Sequence, residues 1–209
     1  SINAIRSSLS SFVYSGYVYM ERDEPRRCAW VNLKNPRYVS YHDDEWGRPV
    51  RDDRVLFEFM VLESAQAGLS WETILNKRDA YREAFYDFDV ARVARMTETD
   101  IARLMRSAAI VRNERKIRAV CSNARAFEQV AQEWGSFGQY LWSWVNNTPI
   151  RNIWPDHRAA PKTTPLAIEM SDDLKKRGFT FLGPTIWYAY MQAVGMVDSH
   201  IADCVRSKK

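Results

Sequence analysis

Cysteine and histidine are both scarce in this chain, with three of each among 209 residues. An odd number of widely spaced cysteines does not resemble a disulfide framework. Disulfides persist mainly in oxidising compartments, so the sequence favours a reducing, cytoplasmic environment.

Long hydrophobic runs are also missing. No apolar segment approaches the length needed to cross a bilayer. The opening residues lack the apolar centre and small-residue cleavage site of a secretory signal. We expect residues 1–20 to be an extension, either disordered or added for expression, and residues 21–209 to form one domain. Strand-like alternation and internal repeats are absent too, so the sequence predicts an all-α fold.

Aromatic residues are abundant in a chain of net charge +4, with eight tryptophans and ten tyrosines. The positive charge allows a polyanionic partner without requiring one. Surplus aromatics in a basic protein are what the binding of an unstacked base needs.

The stretch EFMVLESAQAGLSWETIL, residues 58–75, is central to the prediction. It predicts a helix over 53–67 that ends at Gly68, and a second helix over 70–85 with Ser70 as its N-cap. Glu63 interrupts the apolar pattern of the first helix, and Trp71 follows the turn. A carboxylate beside an indole suits a flat, cationic ring. The alternative is a solvent-facing Glu63, which is the commoner case for glutamate, and this stretch alone leaves both open.

Further helices are predicted on either side of a basic segment. Asp89 caps a short helix, Thr97 and Asp100 resemble a capping box, and helix resumes at Asn113. Residues 171–177 predict a short helix, and Pro184 begins the last long one. The basic segment carries Arg112, Arg115, Lys116 and Arg118. These cations and the amides at a helix start are a candidate phosphate clamp, but a solvated basic face explains the pattern equally well.

Two Cys–His pairs lie near opposite ends of the chain. Cys28 and His42 fall in an aromatic N-terminal loop, and His200 and Cys204 have the i, i+4 spacing that shares one face of a helical turn. Two cysteines and two histidines are the complement of a closed structural zinc site. One zinc ion per chain would then join the N-terminal loop to the C-terminal segment. Incidental thiols and surface histidines are the alternative, because no CxxC pair is present.

Several blocks together resemble the 3-methyladenine DNA glycosylase I family. They are CAWV, YVSYHDDEWGRP, LESAQAGLSWETIL, YDFDV and KKRGFTFLGPTIWYAYMQAVGMVDSH, followed by Cys204. The match runs from about Arg27 to Cys204. This family belongs to the helix-hairpin-helix superfamily of DNA glycosylases and is all-α with a bound zinc.

The resemblance implies a role for each singled-out residue. Cys28, His42, His200 and Cys204 would be the zinc ligands, and Glu63 the carboxylate that reads the base. The aromatic residues around the flipped base would be Tyr41, Trp71, Trp30, Trp46 and Tyr38. Gly68 and Leu69 would form the tip that enters the DNA stack. Residues 101–118 would be the helix-hairpin-helix, with Arg112, Arg115 and Lys116 near the DNA backbone.

The implied activity is that of a monofunctional glycosylase acting as a monomer. It would flip 3-methyladenine out of alkylated double-stranded DNA and hydrolyse the N-glycosidic bond, leaving an abasic site for base excision repair. The resemblance places no lysine as a Schiff-base nucleophile. A catalytically inactive damaged-DNA-binding protein of the same fold is one alternative, and a zinc-stabilised interaction protein unrelated to DNA is another.

Three departures from the family pattern are present, and none of them touches the proposed zinc ligands or Glu63. The Cys28–His42 spacing is one residue longer than expected, and Ser64 and Ala65 stand where larger polar residues are usual. Ala109 occupies a hairpin position where glycine is common, which predicts a strained or shifted left-handed residue.

Overall fold

The computed structural model describes residues 25–207 and, for the backbone alone, two short strands, β1 (Ser11–Tyr14) and β2 (Tyr17–Met20), which pair antiparallel. The predictions for the rest of residues 1–20 and for the last two residues lie outside the described part. The proposed division into an extension and one domain therefore stays a prediction.

Helices make up most of the described chain. They are α1 (Pro36–Ser40), α2 (Asp53–Gln66), α3 (Trp71–Asn76), α4 (Arg78–Ala84), α5 (Val90–Ala94), α6 (Glu98–Arg106), α7 (Glu114–Trp134), α8 (Phe137–Ser143), α9 (Pro165–Lys176) and α10 (Pro184–Ala193). A π-helical turn, Tyr41–Glu45, continues α1, and a 3-10 turn, Tyr86–Phe88, follows α4. The predicted helical character is confirmed. In residues 25–207 no helix is long and apolar enough to span a membrane.

Helix α2 lies at the centre of the fold, packed against α3, α7, α8 and α10. Every residue from Leu56 to Ala65 is buried, so this helix has no solvent-facing stripe over that stretch. Asp52 caps its N-terminus by accepting a hydrogen bond from the Val55 amide. The next residue, Asp53, accepts from the amides of Phe137 and Gly138 and so caps α8.

Two helix predictions need correction. The helix predicted over 70–85 is two helices, because the backbone leaves helical geometry at Lys77, whose ammonium donates to the carbonyls of Ala108 and Ala109. The helix predicted over 171–177 begins earlier, at Pro165. Its N-cap is Thr164, which accepts from the Ala167 amide.

The all-α prediction is also incomplete near the C-terminus. Strand β3 (Ile150–Arg151) pairs parallel with β4 (Val197–Asp198), and Trp154 forms an isolated bridge with Ile201. The chain then runs through turns rather than a helix, so the predicted helical i, i+4 placement of His200 and Cys204 is wrong. A strand of two residues is too short to show alternation in the sequence. These strands form because distant parts of the chain pair with each other.

Gly195 closes the junction between α10 and the segment that precedes α2. Its φ is +69°, and a Cβ there would lie 2.1 Å from the Arg48 carbonyl carbon. Gly178 also has a positive φ, +92°, but a Cβ at that position would have nothing within 4 Å. A side chain at Gly178 would therefore cost only backbone strain, whereas a side chain at Gly195 would cost backbone strain and a steric clash.

We expect Gly195→Ala to destabilise the fold on the order of 3–5 kcal/mol, since overpacking adds to the left-handed penalty. Gly178→Ala is the matched control and should cost about 1 kcal/mol. Urea unfolding of both variants measures the difference. Equal losses of stability would show that the Arg48 contact can relax.

Candidate active site and metal cluster

A cavity of about 230 Å³ opens between α1, the end of α2, the start of α3 and α10. Its lining consists of Trp30, Tyr38, Tyr41, Trp46, Glu63, Gln66, Trp71, Ala189 and Gln192. The structure thus brings together Glu63 and all five aromatic residues singled out from the sequence. Polar groups in a largely aromatic cavity are typical of a small-molecule site.

Glu63 is the only carboxylic acid of this lining, and it is buried. Within residues 25–207 its carboxyl makes no hydrogen bond or ion pair. Burial raises its pKa to about 8, because a low-dielectric surrounding disfavours the charged form. The solvent-facing alternative for Glu63 is wrong. An acid without a partner in a cavity is a candidate functional group.

Aromatic rings form the walls around this acid. Trp71 lies 5.1 Å from Tyr41 between ring centroids, and Trp30 lies 5.4 Å from Tyr38 and 4.9 Å from Trp46. The Trp71 indole nitrogen is buried and has no hydrogen-bond partner in the described structure. Such a cavity suits a flat ring that stacks on the walls and accepts a hydrogen bond.

The π-helical turn aims two consecutive residues at different places. Tyr41 faces the cavity, and His42 faces the interior beyond it, where both side chains are buried. Single π turns within helices are frequent at functional sites. The sequence predicted only an aromatic loop here.

The tip between α2 and α3 is a tight turn over residues 66–69. The Leu69 amide donates to the Gln66 carbonyl, Ala67 has φ −45° and ψ 115°, and Gly68 has φ +79°. These angles define a type II turn, which favours glycine at the third position. Leu69 follows with 41% of its surface exposed. Ser70 then caps α3 through the Thr73 amide, as predicted.

The basic segment lies on the loop between α6 and α7 and on the first turns of α7. Thr97 and Asp100 form the predicted capping box, and Asn113 caps α7. Arg112 and Arg115 are exposed. Ala109 does not have a positive φ, so the left-handed strain predicted there is wrong.

The other two cations of this segment are engaged with the protein. Arg118 pairs with Glu98 and Glu114. Lys116 is buried, and its ammonium donates to the carbonyls of Ala65 and Ala67. Lys116 is therefore not placed to contact a phosphate. The sequence pattern could not distinguish it from its exposed neighbours.

Cys28, His42 and Cys204 form a buried cluster whose ligand atoms all lie within 4.8 Å of one another. Cys204 Sγ is 3.4 Å from His42 Nε2. The Val205 amide donates to the Arg26 carbonyl, so the N-terminal and C-terminal segments meet here. Two thiols and an imidazole at this separation could hold one metal ion.

His200 lies beside this cluster rather than within its three-member core. Its ring centroid is 5.2 Å from that of His42, and its buried Nε2 has no hydrogen-bond partner in the described structure. Its Nδ1 lies 2.7 Å from Asp198, and His42 Nδ1 lies 2.7 Å from Asp43. A carboxylate on Nδ1 orients a metal-binding histidine and leaves Nε2 for the metal. The unpartnered Nε2 therefore fits a fourth ligand.

The Cys–His cluster, Cys28, His42, Cys204 and the adjacent His200, shares an aromatic wall with the cavity. Trp30 lies 5.3 Å from the His42 ring, and Trp46 lies 4.5 Å from the His200 ring. The positions of His42 and His200 therefore also support Trp30 and Trp46 in the cavity wall.

The family model for methyladenine glycosylase matches residues 30–207, which is most of the chain. The chain belongs to this family.

Individual relatives agree with this assignment. The chain is 45% identical over 178 residues to a DNA-3-methyladenine glycosylase of Haemophilus influenzae, covering 85% of this chain and 96% of the relative. It is also 45% identical to DNA-3-methyladenine glycosylase 1 of Escherichia coli, covering 85% and 95%. A solved 3-methyladenine DNA glycosylase I, in a tyrosine-to-phenylalanine variant bound to 3-methyladenine, superposes with a TM-score of 0.84 at 41% identity, covering 88% and 98%.

The sequence analysis did not single out five residues of this candidate site. Gln66, Ala189 and Gln192 line the cavity, and Asp43 and Asp198 orient the histidines. The two aspartates stand within two positions of their histidines, which is a readable signal. Gln66 stands three residues after Glu63 on α2, a spacing that places the two side chains close together and is also readable. Nothing in the local pattern marks Ala189 and Gln192, because α10 comes from a distant part of the chain.

Proposed function

We propose that this chain is a monofunctional 3-methyladenine DNA glycosylase. It acts on double-stranded DNA that contains alkylated bases and leaves an abasic site. The observation that carries the proposal is the buried, unpartnered Glu63 in an aromatic cavity of a methyladenine glycosylase family member.

The cavity favours a cationic base over neutral adenine. 3-Methyladenine in DNA carries a delocalised positive charge, which the Glu63 carboxylate attracts and which stacks favourably on Trp71 and Tyr41. Before a base enters, burial raises the pKa of Glu63 to about 8, so its carboxyl holds a proton at neutral pH. A bound cation lowers that pKa, so entry of the alkylated base expels the proton and creates the carboxylate that selects it.

The remaining chemistry asks little of a general acid. The cationic base is already a good leaving group, so the protein mainly orients it, stabilises charge and excludes solvent while water attacks the sugar. The cavity lining contains no lysine. An imine intermediate and strand cleavage are therefore not part of the proposal.

DNA contacts are proposed on the surface beside the cavity. Gly68 and Leu69 would fill the gap that the flipped base leaves, which offsets part of the unstacking cost of a few kcal/mol. Exposed Arg112, in the turn between α6 and α7, and exposed Arg115, in the first turn of α7, would face the backbone phosphate as in a helix-hairpin-helix. Lys116 is left out of this set because its ammonium is buried.

Cys28, His42, His200 and Cys204 would hold one structural zinc ion per chain. Four protein ligands leave no open coordination position, so the ion would supply stability rather than an activated water. Because Trp30 and Trp46 pack on the two histidines, these ligands also keep one wall of the cavity in place.

Release of free base from methylated duplex DNA tests the proposal. We expect 3-methyladenine in the soluble fraction and an intact strand that breaks only after alkali treatment. Strand breaks without alkali would contradict the monofunctional assignment. Binding to an abasic duplex without base release, by a folded protein, would favour the inactive damage-binding alternative.

A further inference from the structure

Lys116 is a buried lysine at the beginning of a helix that otherwise presents exposed cations. It is 9% exposed, and burial lowers the pKa of its ammonium. Its Nζ donates to the Ala65 carbonyl at 2.9 Å and to the Ala67 carbonyl at 2.5 Å. No carboxylate of residues 25–207 pairs with it. Burying an ammonium without a counter-charge is costly, so a lysine at this position calls for an explanation.

The two carbonyls belong to the end of the helix that carries Glu63. Ala65 lies in the last turn of α2, and Ala67 is its C-cap. A cation at a helix C-terminus interacts favourably with the helix dipole, which accounts for part of the stabilisation. This contact also joins α7, which carries the exposed Arg115, to the tip formed by residues 66–69.

The bond to Ala67 fits only one of the two common turn types at the tip. Type I and type II turns differ mainly in the orientation of the central peptide, here Ala67–Gly68. The Lys116 ammonium can donate to the Ala67 carbonyl only when this carbonyl points inward. In a trans peptide the Gly68 N–H then points the opposite way, outward. Gly68 N–H makes no backbone hydrogen bond in the described structure.

We propose that Lys116 is a positioning residue for the DNA-entering tip. It holds the Ala67–Gly68 peptide in the type II orientation. The Gly68 N–H and the Leu69 side chain then face the duplex at a fixed distance from Arg112 and Arg115. This inference rests on the proposed function, because it assigns a role within excision from duplex DNA.

The test compares Lys116→Met, which keeps the length and apolar stem, with Arg115→Met at the preceding position. Single-turnover excision from duplex DNA by Lys116→Met should fall about ten- to a hundredfold, as expected when reacting groups are misplaced. Binding of free 3-methyladenine in the cavity should stay within about twofold. The slope of log affinity against log salt should not change, whereas Arg115→Met should reduce it by about one.

A double-mutant cycle with Leu69→Ala separates positioning from stability. If Lys116 acts through the tip, the effects of Lys116→Met and Leu69→Ala on the single-turnover rate should be strongly non-additive. Additive losses would overturn the proposal. A salt slope reduced by about one would show a phosphate contact instead, and an unchanged rate well below the variant's melting temperature would show a purely structural cap.

Two further measurements keep the outcome interpretable. If Lys116→Met does not fold, Lys116→Gln retains a donor and is measured in the same way. Wild-type excision is measured first, since its failure would count against the proposed function. In that case affinity for an abasic duplex replaces the rate in the cycle with Leu69→Ala, and additive effects there would overturn the positioning role.

Discussion

Glu63→Gln is expected to abolish most excision of 3-methyladenine while making the folded protein more stable at alkaline pH. The amide keeps the shape and one acceptor but removes the charge that selects a cationic base. Loss of such a charge at the reacting group typically costs about 10²- to 10³-fold in rate, on the order of 3–4 kcal/mol. Single-turnover base release measures this loss.

The effect of this substitution on stability has the opposite sign. The native pKa of Glu63, about 8, lies above that of an unfolded glutamate, so the native state retains a proton that the unfolded chain releases. Wild-type stability therefore falls as pH rises from about 5 to 8, by up to about 1.4 kcal/mol per pH unit. Glutamine does not titrate. The variant should gain on the wild type across this window in thermal melts at pH 5, 6.5 and 8.

Glu58 provides the matched control because it is a second buried glutamate on α2. It pairs with Arg78 at 2.7 Å and with Arg82 at 2.9 Å. Glu58→Gln leaves a buried arginine with a weaker partner and should destabilise the fold by about 3 kcal/mol. Normal excision by Glu63→Gln would refute its catalytic role, and a melting difference independent of pH would refute its burial as a neutral acid.

Removal of the thiol at Cys204 is expected to destabilise the whole domain. In Cys204→Ala the proposed zinc site would lose one of its four proposed ligands, and the contact between the N-terminal and C-terminal segments would lose the stabilisation that a bound zinc adds. We expect the melting temperature to fall by more than about 10 °C, and excision to fall because Trp30 and Trp46 lose their support. A chelator should lower the wild-type melting temperature and leave that of the variant unchanged.

Cys121 supplies the control for this experiment. It is a buried thiol in α7, outside the metal cluster, and it donates to the Ile117 carbonyl. Cys121→Ala should cost about 1 kcal/mol and keep the full response to chelator. Elemental analysis should give one zinc per chain for Cys121→Ala and for the wild type. A folded, active wild-type preparation without metal would refute the zinc site.

Much of the local structure could be predicted because its causes lie within three or four residues. Ser70 caps α3, Asn113 caps α7, and Thr97 with Asp100 forms a capping box, in each case through a side chain and a nearby amide. Gly68 marks a turn that needs a positive φ. The family resemblance rested on short blocks of this kind, and the match to the methyladenine glycosylase family confirmed it.

Which side chains face inward depends on contacts that the local sequence does not contain. Whether Glu63 is buried depends on α10 and on the loop of Trp30, which close over α2 from distant parts of the chain. Lys116 and Arg115 are neighbouring cations that the sequence pattern does not tell apart. Lys116 donates to the C-terminal end of α2, whereas Arg115 is exposed. The amino-acid sequence was enough to predict most helices, the candidate ligands and the family. Burial, and with it the pKa of Glu63 and the role of Lys116, is set by contacts between residues far apart in the chain, which no local pattern records.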